Sequence, residues 1–297
     1  MDTVPKVVAR IKSGLGNQLF CYAAARRLAL VNEVELVIDD VTGFARDGRY
    51  GRTYQLNHFQ IPARRATAAE RLEPFERCRR AMMKWTSRLR PFARRGYLEQ
   101  ESHAFDSRLL SVKTTRVIYL DGYWQSEQYF KDIEPILRRD LRICSPLDAQ
   151  NHETAQAIRS VESVALHVRW FDAPRAGRGH NVTGDYYRRA IAFMESKLQS
   201  PHYFLFSDDP EAARSLLNLP SRCITPIVHN RGDANAYADL WLMSQCRHFI
   251  TANSTFSWWG AWLADRRDKI VVTPDVHIDG ITAWGFEGLI PETWERL

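Results

Sequence analysis

Three short stretches in the second half of this 297-residue sequence carry side chains suited to holding a diphosphate. His167 and Arg169, then Asp208 and Asp209, then Asn253, Ser254, Thr255, Phe256 and Ser257 each end an apolar, β-prone run. A guanidinium keeps its charge at any working pH, and its fork of N–H donors matches two phosphate oxygens. Small hydroxyl and amide residues that open a helix add backbone N–H groups lacking intrahelical partners, where the dipole favours an anion. A carboxylate such as Asp208 matches the adjacent donors of a guanine edge, and His167 can bond a base or ribose. Each residue also has a plain structural use. Ser254 suits an N-cap, and Asp209 before Pro210 suits another. Arg169 can pair with Asp172 or with an aspartate of the 208–209 pair, and His167 can be a satisfied buried histidine. The coincidence of a cation, a carboxylate and a hydroxyl-rich helix start at three strand ends favours a nucleotide diphosphate over those separate uses.

The elements around these stretches alternate. Strands are expected over 164–169, 203–206, 223–227, 248–251 and 269–273. Helices are expected over 186–198 with Asp185 as N-cap, from Pro210, up to about Cys246, and through Trp258, Trp259 and Trp262. Strands separated by single helices predict a parallel sheet covered on both faces, with ligands at the strands' carboxyl ends. The first half opens with a strand over 4–12, a turn containing Gly14 and Gly16, a helix over 17–31 and a strand over 34–39. Gly14 and Gly16, with Asp39 or Asp40, match part of a dinucleotide fingerprint, but Leu19 stands where its third glycine belongs. A tight turn needing glycine's backbone freedom reads the same residues more simply. Residues 43–65 read as loop, 117–120 as strand and 127–139 as helix. Between the last two, Tyr123, Trp124 and Gln125 suit stacking on a sugar and gripping its hydroxyls, or merely packing a loop. The junction is expected between 145 and 162, giving units 1–155 and 156–297.

Composition narrows the class. A 45% hydrophobic and 26% charged chain is globular. No apolar run reaches the ~20 residues a membrane-crossing helix needs, and the amino-terminal residues lack a signal-peptide pattern. Five scattered cysteines predict reduced thiols in a cytoplasmic protein, and none has metal-ligand spacing. Without a sign of secretion, the glycosylation sequon at Asn253 is discounted. The formal net charge of +6 is concentrated in residues 64–95, where Arg64, Arg71, Arg80 and Arg95 belong to a long basic series interleaved with Phe75, Met82, Trp85 and Leu89. Such a basic amphipathic helix can lie on an anionic membrane or be a solvated face. No nucleic-acid-binding motif accompanies it.

Several segments together resemble the bacterial members of glycosyltransferase family 11, the α-1,2-fucosyltransferases. They are Gly14 to Phe20 with Tyr22 and Ala23; Gly122 to Glu127; His167, Val168 and Arg169 with Asp172; Asp185 to Tyr187; Phe206 to Asp209; and the long, specific run from Asp239 to Leu263. The resemblance implies an α/β, GT-B-like architecture, two Rossmann-like domains with parallel sheets facing across a cleft: an acceptor-side domain over 1–155 and a GDP-fucose-binding domain over 156–297. It implies metal-independent transfer of fucose from GDP-fucose, with inversion, to a galactoside hydroxyl. By the same resemblance Arg169 holds the β-phosphate, His167 contacts the nucleotide, Asp208 or Asp209 reads guanine, and Asn253 to Ser257 line the diphosphate site. Gly14, Gly16, Asn17 and Gln18 face the cleft. Asp172 and His180 are candidate bases, and Tyr123, Trp124, Gln125 and Trp170 candidate acceptor residues. Trp170 and Phe171 stand where the family commonly has arginine and glycine, which bears on the acceptor more than the donor. Two other readings compete: an NAD(P)-dependent oxidoreductase resting on Gly14, Gly16 and Asp39, and a non-catalytic glycan- or membrane-binding protein resting on the aromatic loop and basic segment.

Overall fold

The computed structural model describes residues 4–45, 51–171, 180–280 and 283–297. They form two units, Met1–Arg142 with Glu287–Leu289, and Ile143–Phe286 with Ile290–Leu297. The break falls at 142/143. The boundary expected at 155/156 lies within a helix of the second unit.

The first unit contains β1 (Lys6–Arg10), α1 (Leu15–Val31), β2 (Glu35–Asp39), β3 (Arg64–Arg65), α2 (Glu76–Arg88), β4 (Tyr97–Glu99), β5 (Val117–Asp121) and α3 (Glu134–Asp140). Its sheet has the order β3-β2-β1-β5-β4, and every pairing is parallel. Central β1 reads Lys-Val-Val-Ala-Arg and is buried over its first four residues, as a strand covered on both faces must be. Helix α1 is buried almost all round, through Leu19, Phe20, Tyr22 and Leu28. Its start corrects the expected glycine turn. Gly14 is the N-cap at an ordinary φ of −69°, and the left-handed residue is Ser13 at 67°. The expected helix over 127–139 is two 3-10 turns followed by the seven-residue α3, with Pro135 in its first turn.

The second unit contains α4 (Ala149–Arg159), β6 (Ser163–Val168), α5 (Gly184–Lys197), β7 (His202–Ser207), α6 (Pro210–Leu217), β8 (Ile224–Pro226), α7 (Ala236–Gln245), β9 (His248–Ile250), α8 (Thr255–Leu263), β10 (Val271–Thr273) and β11 (Glu295–Arg296). Its parallel sheet runs β11-β10-β9-β6-β7-β8. All six residues of β6 are buried. The chain proceeds outward from β6 through β7 to β8, then crosses to β9 and proceeds outward the other way. The order therefore reverses at β6/β9, a topological switch point, where α/β sheets bind ligands at their carboxyl ends. The three strands expected to carry polar ends are the adjacent trio β9, β6 and β7. One cap differs from expectation: Thr183, not Asp185, accepts from Tyr186 N and opens α5.

Candidate functional site

At the switch point the chain leaving β6 meets the start of α8. His167 Nδ1 lies 2.8 Å from Ser257 Oγ, both residues buried. Burial, reinforced by the charge of Arg169, lowers the His167 pKa to about 3, so the ring is neutral at neutral pH. Two buried tyrosines pin this edge. The Tyr187 hydroxyl donates to the His167 carbonyl at 3.0 Å, and the Tyr186 hydroxyl to those of Thr251 at 2.7 Å and Val272 at 3.2 Å. β6, β9 and β10 are thereby tied to the first turn of α5. The tyrosines' signal in the sequence is two adjacent aromatic hydroxyls in the first turn of a helix packed on the sheet.

Ser254 caps α8, its Oγ accepting from Phe256 N at 3.3 Å. The first turn of α8 holds no acidic residue, so no side chain of its own offsets the positive end of its dipole. Ser254, Thr255 and Phe256 are half-buried, whereas Trp258 and Trp259 are fully buried and anchor the helix. Helix α7 packs so closely that a Cβ on Gly260 would lie 2.2 Å from Met243 Sδ. The helix start is thus an accessible end of a rigid, buried rod.

Arg169 immediately follows β6, and its charge is felt at His167. Its Nη1 lies 2.8 Å from Asp208 Oδ2, with the side chains 23% and 35% exposed. The ion-pair use of Arg169 is therefore realised with Asp208. Asp208 Oδ1 also accepts from Trp170 N at 3.1 Å, and the Trp170 indole N–H reaches the Asp209 carbonyl at 3.4 Å. Trp170 packs against the core of its unit, which ties the two strand ends β6 and β7 together. Asp209 caps α6 through Ala212 N at 3.0 Å, as its Pro210 neighbour predicted. Asn253 is buried. Its Nδ2 donates to the His180 carbonyl at 2.7 Å, while its Oδ1 has no partner among the described residues. The second unit thus assembles His167, Arg169, Trp170, Asp208, Asp209 and the 253–257 turn at neighbouring strand ends, with the His180 backbone beside them. Asp172 lies outside the described residues.

The first-unit candidates have other employment. Gln18 is fully buried; its Nε2 donates to the carbonyls of Ser13 and Thr53 at 2.9 and 2.8 Å, and its Oε1 accepts from Gln55 N at 2.9 Å. Both ends of that amide are held by the fold. Gly16 is buried inside α1. Asn17 Nδ2 donates to Ser13 Oγ at 3.1 Å, and its Oδ1 accepts from Gln125 Nε2 at 2.7 Å. Trp124 is 1% exposed and edge-on to Tyr129 at 5.5 Å, so it packs the core and offers no face to a sugar. Tyr123 is half-buried beneath Lys12 Nζ, 5.0 Å from its ring centroid.

A cluster the sequence reading missed sits at the carboxyl ends of β1 and β5. Asp121 lies 2.6 Å from Lys12 Nζ, 3.3 Å from Arg10 Nη1 and 3.6 Å from Lys84 Nζ, and accepts from the Tyr97 hydroxyl at 2.6 Å. Burial pushes its carboxyl up, but Lys12 and Arg10 more than offset this and hold it well below the usual carboxylate range. Among the described residues, no group of three or more His, Cys, Asp or Glu is arranged to hold a metal ion, and no helix is long and apolar enough to cross a membrane.

Residues 73–280 match the model of glycosyl transferase family 11. The chain is 29% identical to the alpha-1,2-colitosyltransferase of Escherichia coli over 98% of both chains. It is 30% identical to the O-antigen biosynthesis glycosyltransferase WbnK of Escherichia coli, covering 89% of this chain and 92% of that one. Its fold is like that of a mutant of Arabidopsis thaliana FUT1 in complex with GDP. That likeness has a TM-score of 0.53 at 13% identity and covers 94% of this chain and 72% of that one.

Proposed function

The chain belongs to glycosyl transferase family 11, and from that premise we propose that it is an inverting fucosyltransferase, moving L-fucose from GDP-β-L-fucose to the 2-hydroxyl of a galactose unit in a glycan. The observation that carries the donor half is the His167–Ser257 contact at the sheet's switch point. It ties the strand end that bears Arg169 to the helix start that bears Ser254 and Thr255. In this reading the diphosphate lies on the α8 start, with Arg169 on its β-phosphate. The bond from sugar C1 to the diphosphate oxygen breaks as the acceptor oxygen bonds C1 from the opposite face. The electron pair leaves on GDP. Arg169 and the helix dipole stabilise that growing charge, the part a metal ion plays in other transferases. The acceptor proton passes to a base, for which Asp172 is the candidate.

Asp208 holds the guanidinium in place and yields it at little cost, because a partly exposed ion pair is worth only about 0–1 kcal/mol. His167, neutral and buried, orients Ser257. The first unit takes the acceptor in this reading, with Tyr123 as its accessible aromatic. Work on the cytoplasmic face of a membrane, with a peripheral contact through residues 64–95, completes it.

The test is transfer from GDP-fucose to a panel of galactosides, with the product linkage read by NMR. Fucose on the galactose 2-hydroxyl is expected, and undiminished turnover in EDTA with it. Hydrolysis of GDP-fucose without any transfer product would contradict the acceptor assignment. The colitosyltransferase likeness supports a second reading, in which the donor sugar is colitose on the same diphosphate site. Competition between the two GDP-sugars decides it.

A further inference from the structure

Helix α2 is built inside out. Its inward face is polar. Arg80 Nη2 donates to Thr42 Oγ1 at 2.8 Å, Lys84 Nζ lies 2.5 Å from Glu99 Oε1, and Ser87 Oγ accepts from Tyr97 N at 3.1 Å. Residues 80, 84 and 87 make one stripe at helical spacing. The stripe on the other side runs through Cys78, Met82, Trp85 and Leu89, offset by two residues and therefore about 200° away. That outer stripe is open: Met82 is 60%, Trp85 66% and Leu89 70% exposed, and Phe75, just ahead of the helix, 71%. These four are the only large apolar side chains among the described residues that gather on one exposed helix. An ordinary surface helix shows the reverse arrangement.

The geometry points to this apolar stripe as a docking face for an anionic lipid surface, lying flat with Trp85 and Leu89 entering the headgroup layer. It deepens the membrane contact in the reading above by giving it a face, and it does not depend on the identity of donor or acceptor. Charge selects the occupant. The exposed residues of the helix and the chain just past it include Arg77, Arg79, Arg90 and Arg94, while Glu76 is the one acid in α2. A second copy docked here about a two-fold axis would bring one arginine rim against the other. An anionic bilayer complements both parts at once: arginines meet headgroups, apolar side chains meet acyl chain, and tryptophan favours the interface. The arrangement also departs from a purely basic surface. Arg80 and Lys84 are spent inward on Thr42, Asp39, Glu99 and Asp121, so the apolar residues carry much of the contact.

The test uses the full chain and phosphatidylcholine vesicles with and without phosphatidylglycerol, read by co-sedimentation. Three proteins are compared: wild type, M82Q/W85Q/L89Q and R77Q/R90Q/R94Q. Because these side chains are exposed, the variants are expected to melt as wild type does and to keep their activity on a soluble galactoside. Wild type is expected to bind anionic vesicles. The apolar variant is expected to bind at least about 100-fold more weakly, and the arginine variant roughly fivefold more weakly per charge, with less salt dependence. Equal binding by wild type and the apolar variant would overturn this face while leaving a membrane contact elsewhere. Absence of wild-type binding to either vesicle overturns the contact altogether. A wild-type dimer in sedimentation velocity that M82Q/W85Q/L89Q dissociates would replace the bilayer with a second copy. None of these outcomes bears on whether fucose is transferred.

Discussion

At the carboxyl end of the first sheet, Arg10, Lys12 and Lys84 converge on one carboxylate, Asp121, whose side chain is 3% exposed; at that of the second, Arg169 meets Asp208 at 23% and 35% exposure. Both sheets are parallel, and both put cations where such sheets bind ligands. The difference is whether the charge is closed off. In the first unit the cations, 22–28% exposed, are as open as Arg169, but the carboxylate between them is buried, and stripping it of its cations would leave an uncompensated buried charge. In the second, solvent screens the pair, so the guanidinium can change partners for little. A cation at a strand end therefore reads as scaffold when the carboxylate it serves is buried, and as a binding group when both partners stay near water.

The largest expected effect is on the closed cluster. Asp121→Asn should destabilise the first unit by about 3–5 kcal/mol, measured by urea denaturation, whereas Asp208→Asn should cost below about 1 kcal/mol. Equal costs would erase the distinction. The same cluster predicts acid sensitivity. The folded Asp121 carboxyl sits below its ordinary range, so its contribution is complete above the unfolded pKa and is lost as pH falls toward the folded value. The stability gap between wild type and Asp121→Asn should therefore narrow on acidification.

His167 offers a second, smaller pH signature. Its folded pKa of about 3 lies below the unfolded value near 6.5. The unfolded chain thus binds the extra proton between those limits. The neutral ring's contribution is complete above about pH 6.5 and falls by about 1.4 kcal/mol per pH unit as pH drops toward 3. His167→Gln should abolish that slope in pH-dependent denaturation. If wild type and variant lose stability in parallel from pH 6.5 to 4, the histidine is not held neutral by the fold. The smallest effect belongs to Asp209. Its cap is worth about 1 kcal/mol, and Asp209→Ala should lower the melting temperature slightly while leaving the KM for GDP-fucose unchanged. A large rise in that KM would return Asp209 to guanine reading.

Local chemistry was the legible part. Asp209 before Pro210 and Ser254 before a tryptophan run announce their caps within four residues, and the strand–helix alternation of the second half specifies its parallel sheet. The cap of α5 was expected at Asp185 and lies at Thr183, because both residues have the acceptor and only backbone geometry selects one. Long-range closure was illegible. Asp121 gathers Arg10, Lys12, Lys84 and Tyr97 from four separate elements and loops, and no local pattern marks them as one cluster. Trp124 has the composition of a sugar site and Gln18 was expected to face a cleft, yet burial and hydrogen bonding commit both to the fold. In α2, spacing revealed two stripes but not which one faces in; Asp39, Glu99 and Asp121 decide that by drawing the cations inward.

The central claim is that Arg169 and the α8 start hold the donor's terminal phosphate, and calorimetric titration with GDP and GMP reads it directly. Wild type is expected to prefer GDP by at least about tenfold, the worth of a charge-assisted bidentate contact, and in Arg169→Ala that preference should collapse to roughly parity. An Arg169→Ala protein that still folds and still favours GDP over GMP to the wild-type extent would contradict the account.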